Sequence, residues 1–153
     1  MQESIDYNRL HSLTIFRELD RNELEIINKF FFAKKAEKGF FLFVQDMPGE
    51  LLYIIVSGRV EIIKKTKDNE RIVLASMGPD EIIGEMSLID MEPRSATCRV
   101  TENSVLLGVT KKAFNELLDS NPRIAAKILM SLLRIMSKRL RITTNKKVEE
   151  INY

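Results

Sequence analysis

The sequence predicts a mainly β fold, a sandwich or barrel, with helices at both ends of the chain. Three observations carry that prediction. Short runs rich in β-branched and aromatic residues fill the middle of the chain, from Phe31 to Val109. Clusters of Gly, Pro, Asp and Asn punctuate those runs. Outside this region apolar residues recur at helical spacing instead. With 153 residues, 44% of them hydrophobic, the chain has the material for a single core. One domain is therefore expected over 1–153, made of a helical entry (1–30), a β body (31–109) and C-terminal helices (110–153).

The helical entry shows in "LDRNELEIINKF". Asp20 is placed as an N-cap with Glu23 three residues on, the spacing of a capping box. Leu24, Ile27 and Phe30 then mark one helical face. In the middle, "FFLFV", "LLYIIV", "GRVEIIKK", "RIVLASM" and "SVLLGV" read as strands. "DMPGE", "TKDNE" and "MGPDE" read as the turns between them. "TKKAFNELLDS" is a short helix opened by Thr110. A long helix follows, with Asn121 at its N-cap and Pro122 at its first turn.

The long helix carries two apolar stripes. Leu129, Met136 and Thr143 repeat every seven residues, with Leu133 and Leu140 between them. Ile128, Ile135 and Ile142 run alongside, with Leu132 between the first two. That arc is wider than one packing surface needs. One stripe is expected to pack on the β body and the other on a second copy, giving a homodimer through this helix.

Composition narrows the function. A net charge of +2 speaks against a large electrostatic footprint for duplex DNA, but not against one small anionic ligand. The single cysteine, Cys98, cannot form an intrachain disulfide, which fits a reducing compartment. The first residues look unlike a signal peptide, and "LLYIIV", the longest apolar run, is too short to span a bilayer. A cytoplasmic protein without a membrane span is expected. His11 is the only histidine, so a metal, haem or iron–sulfur centre is not expected. No nucleophile and base stand paired in the sequence, and an enzyme is the least favoured class.

The chemistry concentrates in "IIGEMSLIDMEPRSATCRV", from Ile82 to Val100. Gly84 lets the backbone come close to an oxyanion. "GEMSLID" suits a short helical turn whose free N–H groups, from Glu85 through Met86 to Ser87, point at that anion. Arg94 supplies a fixed charge and a planar fork that matches two phosphate oxygens. Pro93 stiffens the chain before it and Ser95 adds a hydroxyl donor. Glu85 would repel a phosphate alone. It makes sense as an acceptor for sugar hydroxyls, so the segment reads as a site for a phosphate plus a ribose. Taken singly, each residue has a plainer reading: Gly84 as a turn glycine, Glu85 and Arg94 as a surface ion pair.

Taken together, "GPDEIIGEMSLIDMEPRSATCRV" resembles the phosphate-binding cassette of the cyclic-nucleotide-binding domain family. That family includes the bacterial catabolite activator proteins and the regulatory subunits of cyclic-AMP-dependent kinases. The resemblance extends over nearly the whole chain, through "LTIFRELDRNELEII" and "KGFFLFVQDMPGELLYIIVSGRVEII", with Gly49 and Gly58 at the usual glycine positions. It implies a double-stranded β-helix, an eight-stranded jelly roll, with N-terminal helices and a long C-terminal helix. It also implies a ligand, cAMP or cGMP. Arg94 and Ser95 would hold the cyclic phosphate, Glu85 the ribose 2′-hydroxyl, and N–H groups from Gly84 to Ser87 would complete the cradle.

For the base, "MSKRLRITTNKKV" resembles the segment with which activators contact adenine, one residue from each subunit. Thr143 and Thr144 fall at that pair. Arg139 is a further candidate near the base, against its plainer reading as a solvated helix residue. The activators continue into a helix-turn-helix module, for which the residues after Thr144 are too few. No direct DNA binding is expected. The functional expectation is a cyclic-nucleotide sensor, of cAMP ahead of cGMP, in which ligand repositions the C-terminal helix. The alternatives are a nucleotide-free dimerisation module and the regulatory part of a longer regulator, channel or enzyme.

Overall fold

The computed structural model describes residues 5–90 and 92–151. Helix α1 (Tyr7–Ser12), a single 3-10 turn (Thr14–Phe16) and helix α2 (Arg21–Ile27) form the entry. The expected capping box is present: the Asp20 carboxylate accepts from the Glu23 N–H, and Glu23 accepts from the Asp20 N–H. The Glu23 carboxylate also takes the Lys127 ammonium at 2.7 Å, which ties the entry to the C-terminal helix. Helix α2 stops at Ile27, one turn short of Phe30. Phe30 still packs, half-buried, against the core from the turn that follows.

Six strands then follow: β1 (Phe32–Ala36), β2 (Phe41–Phe43), β3 (Leu51–Lys65), β4 (Arg71–Met77), β5 (Ile82–Ile83) and, after helix α3 (Glu85–Asp90), β6 (Thr97–Thr110). Two sequence expectations change here. "LLYIIV" and "GRVEIIKK" are one strand rather than two, and "SVLLGV" is the last part of a strand that starts at Thr97. The β3–β6 ladder shifts register between Ile55 and Val60, around Gly58 at φ +95°. That bend divides each long strand into two arms. The arms of β3 and β6 nearest Leu51 and Thr110 pair with each other and with β5 and β1. The other two arms pair with each other and with β4 and β2. Counted by arms, eight strands stand in two antiparallel groups of four, the jelly roll that the resemblance implies.

Burial explains the unbroken apolar run at Leu51–Val56. Leu52 and Ile54 face a core built with the N- and C-terminal helices, while Tyr53 and Ile55 face a second cluster with Val60, Cys98, Val100 and Leu106. A strand covered on both sides shows no polar alternation. Strand β1, "FAKKA", carries two lysines and was not marked as a strand by its sequence. It forms because β6 offers it an edge, from Phe32 opposite Gly108 to Ala36 opposite Ser104.

The C-terminal helices are α4 (Lys111–Ser120) and α5 (Pro122–Ile151). The Thr110 hydroxyl accepts from the Ala113 N–H at 3.0 Å, as expected of a cap. Asn121 works differently. Its carbonyl accepts from the Ala125 N–H, while its side-chain amide donates to the Ser120 hydroxyl. In α5, Ile124, Ala125, Ile128 and Leu132 enter the core, with Leu129, Ile135 and Met136 packed half-buried against it. Of the Leu129–Met136–Thr143 stripe, Leu129 and Met136 lean on the core while Leu133 and Leu140, between them, are 61% and 69% exposed and lie uncovered in the monomer.

The bend at Gly58 yields a test. A Cβ there would lie 2.6 Å from the Ser104 Cα and 2.7 Å from the Asn103 carbonyl oxygen. Gly39 has a similar φ of +93° but open space around it. Gly39→Ala is expected to cost about 1–2 kcal/mol, the left-handed backbone penalty alone. Gly58→Ala is expected to cost clearly more, about 3–5 kcal/mol, since backbone must also move. Urea unfolding of both variants measures the difference, and equal midpoints would contradict it.

Candidate functional site

The cassette lies where the two β groups meet α5. Strand β5 pairs with Tyr53 and Ile54 of β3 and so delivers Gly84 beside the end of that strand. Gly84 has φ +76°, and α3 starts at the next residue, the short helical turn expected from "GEMSLID". A Cβ on Gly84 would run into Arg94 Nη1 and come within 2.9 Å of the Leu51 carbonyl oxygen. Glycine is required there for both conformation and space.

Arg94 is the buried centre of the site, 5% exposed. Its Nη2 donates to the Leu51 carbonyl at 2.7 Å and its Nη1 to the Gly84 carbonyl at 3.3 Å. Its guanidinium carbon sits 4.2 Å from the centre of the Phe43 ring, a cation–π contact. Its Nε is buried without a partner among the described residues. Its backbone is clamped as well, with Arg94 N donating to the Met47 carbonyl and Asp46 N donating to the Arg94 carbonyl. Burial pulls the Arg94 pKa below its ordinary value, opposed by its neighbours Tyr53, Cys98 and Glu85. Burial likewise raises Tyr53, with Arg94 pulling the other way.

Glu85 does not pair with Arg94. Its carboxylate accepts from Arg139 Nη1 at 3.1 Å, and Arg139 Nη2 reaches the Ile82 carbonyl at 3.0 Å. This link joins the cassette to α5. Arg139 thus borders the candidate site with both ends of its guanidinium engaged, rather than standing free on a solvated helix face.

Gly84, Glu85, Met86, Arg94, Ser95 and Arg139 border one cavity of about 320 Å³, the size of a small-ligand pocket. Phe43, Ile62 and Met77 give it an apolar wall that sequence reasoning did not single out. Asp90 and Glu92 add carboxylates to its edge. The side chain of Ser87 lies outside the described residues. Thr143 and Thr144 do not border the cavity. Both are exposed, and their hydroxyls donate to the carbonyls of Arg139 and Leu140 on their own helix. Among the described residues no group of three or more His, Cys, Asp or Glu is arranged to hold a metal ion.

The comparisons with known proteins follow this geometry. Residues 33–121 match the profile of the cyclic nucleotide-binding domain. A CRP-like cAMP-activated global transcriptional regulator of Mycobacterium tuberculosis is 28% identical over 131 residues, 86% of this chain and 57% of that protein. The chain therefore spans a little over half the length of that curated relative. Among solved structures, a cyclic nucleotide-binding domain from Methylobacillus flagellatus aligns with a TM-score of 0.85 at 25% identity, covering 94% of this chain and 83% of the other. The regulatory domain of Toxoplasma gondii PKA, crystallised with cAMP, aligns at 0.63 with 28% identity, covering 74% and 46%.

Cys98, next to this site, is fully buried and its thiol is pushed up to about 12 by burial, with Arg94 pulling it down. It stays protonated under mildly alkaline conditions, where a free thiol begins to ionise. Iodoacetamide is expected to leave Cys98 unmodified in the folded protein and to alkylate it fully in guanidinium chloride. Mass spectrometry reads the outcome, and rapid labelling of the native protein would contradict the packing described.

Proposed function

The chain belongs to the cyclic nucleotide-binding domain family, and from that membership we propose that it is a cytoplasmic sensor of a 3′,5′-cyclic nucleotide, cAMP first and cGMP second. The observation that carries the reading is Arg94. Among the described residues the buried guanidinium is held by carbonyl oxygens and an aromatic face, and no carboxylate forms an ion pair with it. Such a group, bordering a cavity of nucleotide scale, suits an anion. The cyclic phosphate would take Arg94 and the Ser95 hydroxyl, with N–H groups from Gly84 to Ser87 around it. Glu85 would accept from the ribose 2′-hydroxyl. The apolar wall of Phe43, Ile62 and Met77 supports the uncharged faces of a nucleoside. The site offers binding chemistry rather than catalysis, since its carboxylates and arginines include no nucleophile with an adjacent base.

Helix α5 would carry the response. Arg139 already joins it to Glu85, so a ligand on Glu85 acts on a residue that positions the helix. Thr143 stands one turn past Arg139 on the same face, about 6 Å further along the helix. That placement supports Thr143, with Thr144, as contacts to the base. The uncovered stripe at Leu133 and Leu140 supports a homodimer through α5, with no DNA contact by this domain. No described helix is long and apolar enough to cross a membrane.

Two measurements test this. Calorimetric titration with cAMP and cGMP is expected to show saturable binding of at least one, and Arg94→Ala to weaken it by about a hundredfold or more, because the phosphate loses its charged partner. Absence of heat with both nucleotides would overturn the ligand, and an unchanged isotherm for the variant would overturn the site. In sedimentation, the protein is expected to run as a dimer, and Leu133→Glu with Leu140→Glu to shift it to monomer. A dimer unaffected by the double substitution would place the interface elsewhere.

A further inference from the structure

A second cavity, of about 390 Å³, lies on the other side of the β wall from the nucleotide pocket. The wall is one sheet thick. Phe43, Ile62 and Ala96 line the nucleotide side, while Phe41, Ile63 and Thr97 line the other. Phe41 and Phe43 would share a face in a regular strand, but the ladder shifts register between them, so they serve opposite cavities.

The second cavity has an unusual charge arrangement. Lys65 and Arg71 both border it, and they stand directly opposite each other in the β3–β4 ladder. Directly opposed residues have Cβ atoms about 5 Å apart, and like charges in that position destabilise a sheet. Among the described residues neither cation is paired with a carboxylate. Asp46 brings one carboxylate to the same rim without an ion pair to either. Polar groups on the floor are already in use: Gln45 bridges to the Lys65 backbone, and the Thr97 hydroxyl accepts from the Gln45 N–H. The cavity lining therefore combines two cations unpaired among the described residues, Lys65 and Arg71, with the apolar Phe41, Val44 and Ile63. Phe41 and Val44 are 44% and 47% exposed, a cost in water that an apolar occupant would remove.

We propose that this cavity is a second binding site, distinct from the nucleotide pocket, for a small organic carboxylate: an anionic head on an apolar or aromatic body. The Arg71 fork and the Lys65 ammonium hold the carboxylate together, which relieves their mutual repulsion. Phe41, Val44 and Ile63 cover the body. The volume accommodates a group the size of phenylacetate.

The test uses that compound as probe, followed by amide NMR on the intact chain. Phenylacetate is expected to give saturable shifts at Phe41, Val44 and Thr97, with benzyl alcohol, its uncharged counterpart, giving none that saturate. Lys65→Gln with Arg71→Gln is expected to weaken phenylacetate about tenfold or more. Both substitutions are at exposed positions, and an unaltered spectrum elsewhere shows that the fold is kept. Absence of saturation, equal binding of benzyl alcohol, undiminished binding by the double variant, or shifts confined to Gly84 and Ser95 would each overturn the proposal. None of these outcomes depends on whether the first pocket takes a cyclic nucleotide.

Discussion

Every strand of the domain is fixed to the antiparallel ladder between Leu51–Lys65 and Thr97–Thr110. β1 and β2 pair with one member, β4 and β5 with the other. The ladder bends around Gly58, where Ser104 packs against the glycine and its hydroxyl accepts from the Arg59 N–H. That bend turns one long pairing into two facing groups of four. The core follows from the same geometry, because alternate residues of each arm reach either the helices or the interior of the roll. The site depends on it too. Leu51, at the start of the ladder, supplies the carbonyl that holds the Arg94 guanidinium.

A cation anchored in this way is held ready before any ligand arrives. Its partners are carbonyl dipoles and the π face of Phe43, which orient the guanidinium without cancelling its charge. The low-polarity surroundings that pull its pKa down also strengthen its attraction for an anion. Gly84 completes the arrangement by leaving the space that Arg94 Nη1 occupies. Glycine and arginine are thus one structural unit, which is why two residues ten positions apart converge on one point.

Much of this was legible in the sequence, for identifiable reasons. The Asp20–Glu23 capping box and the Thr110 cap are local, and local signals survive folding. Gly84, Glu85, Arg94 and Ser95 come together because one short segment carries them all. What could not be read were choices made by tertiary pairing. "LLYIIV" and "GRVEIIKK" merge because β6 runs alongside both, and "FAKKA" is a strand because an edge was free. Phe43, Ile62 and Met77 come from segments distant in sequence, and only the closed roll brings them to the cavity, whereas Arg139 is a candidate from its place on the long helix alone. The cross-strand Lys65–Arg71 pair is equally silent in sequence, since it exists only once the hairpin register is set.

The link from pocket to helix runs through Arg139, which holds the Glu85 carboxylate and the Ile82 carbonyl. Glu85 Oε1 takes the Arg139 bond, and Oε2 receives none from another described residue. A carboxylate has about four acceptor positions, so a sugar hydroxyl and Arg139 can occupy it together. On the proposed reading, a ligand would not have to displace the helix in order to be sensed: it would polarise a carboxylate that Arg139 already holds and add its own bulk beside the same guanidinium. Whether α5 is drawn in or released is decided by which helix position lets Glu85, Arg139 and the ligand satisfy one another best, for a ligand moves an equilibrium only by its differential affinity for the two states. Residues 140–149 are exposed throughout, so little packing within the monomer opposes such a movement. Beyond Met136 the helix is therefore positioned by Arg139 and by whatever covers Leu140, and those are the two contacts through which an occupied pocket can be read.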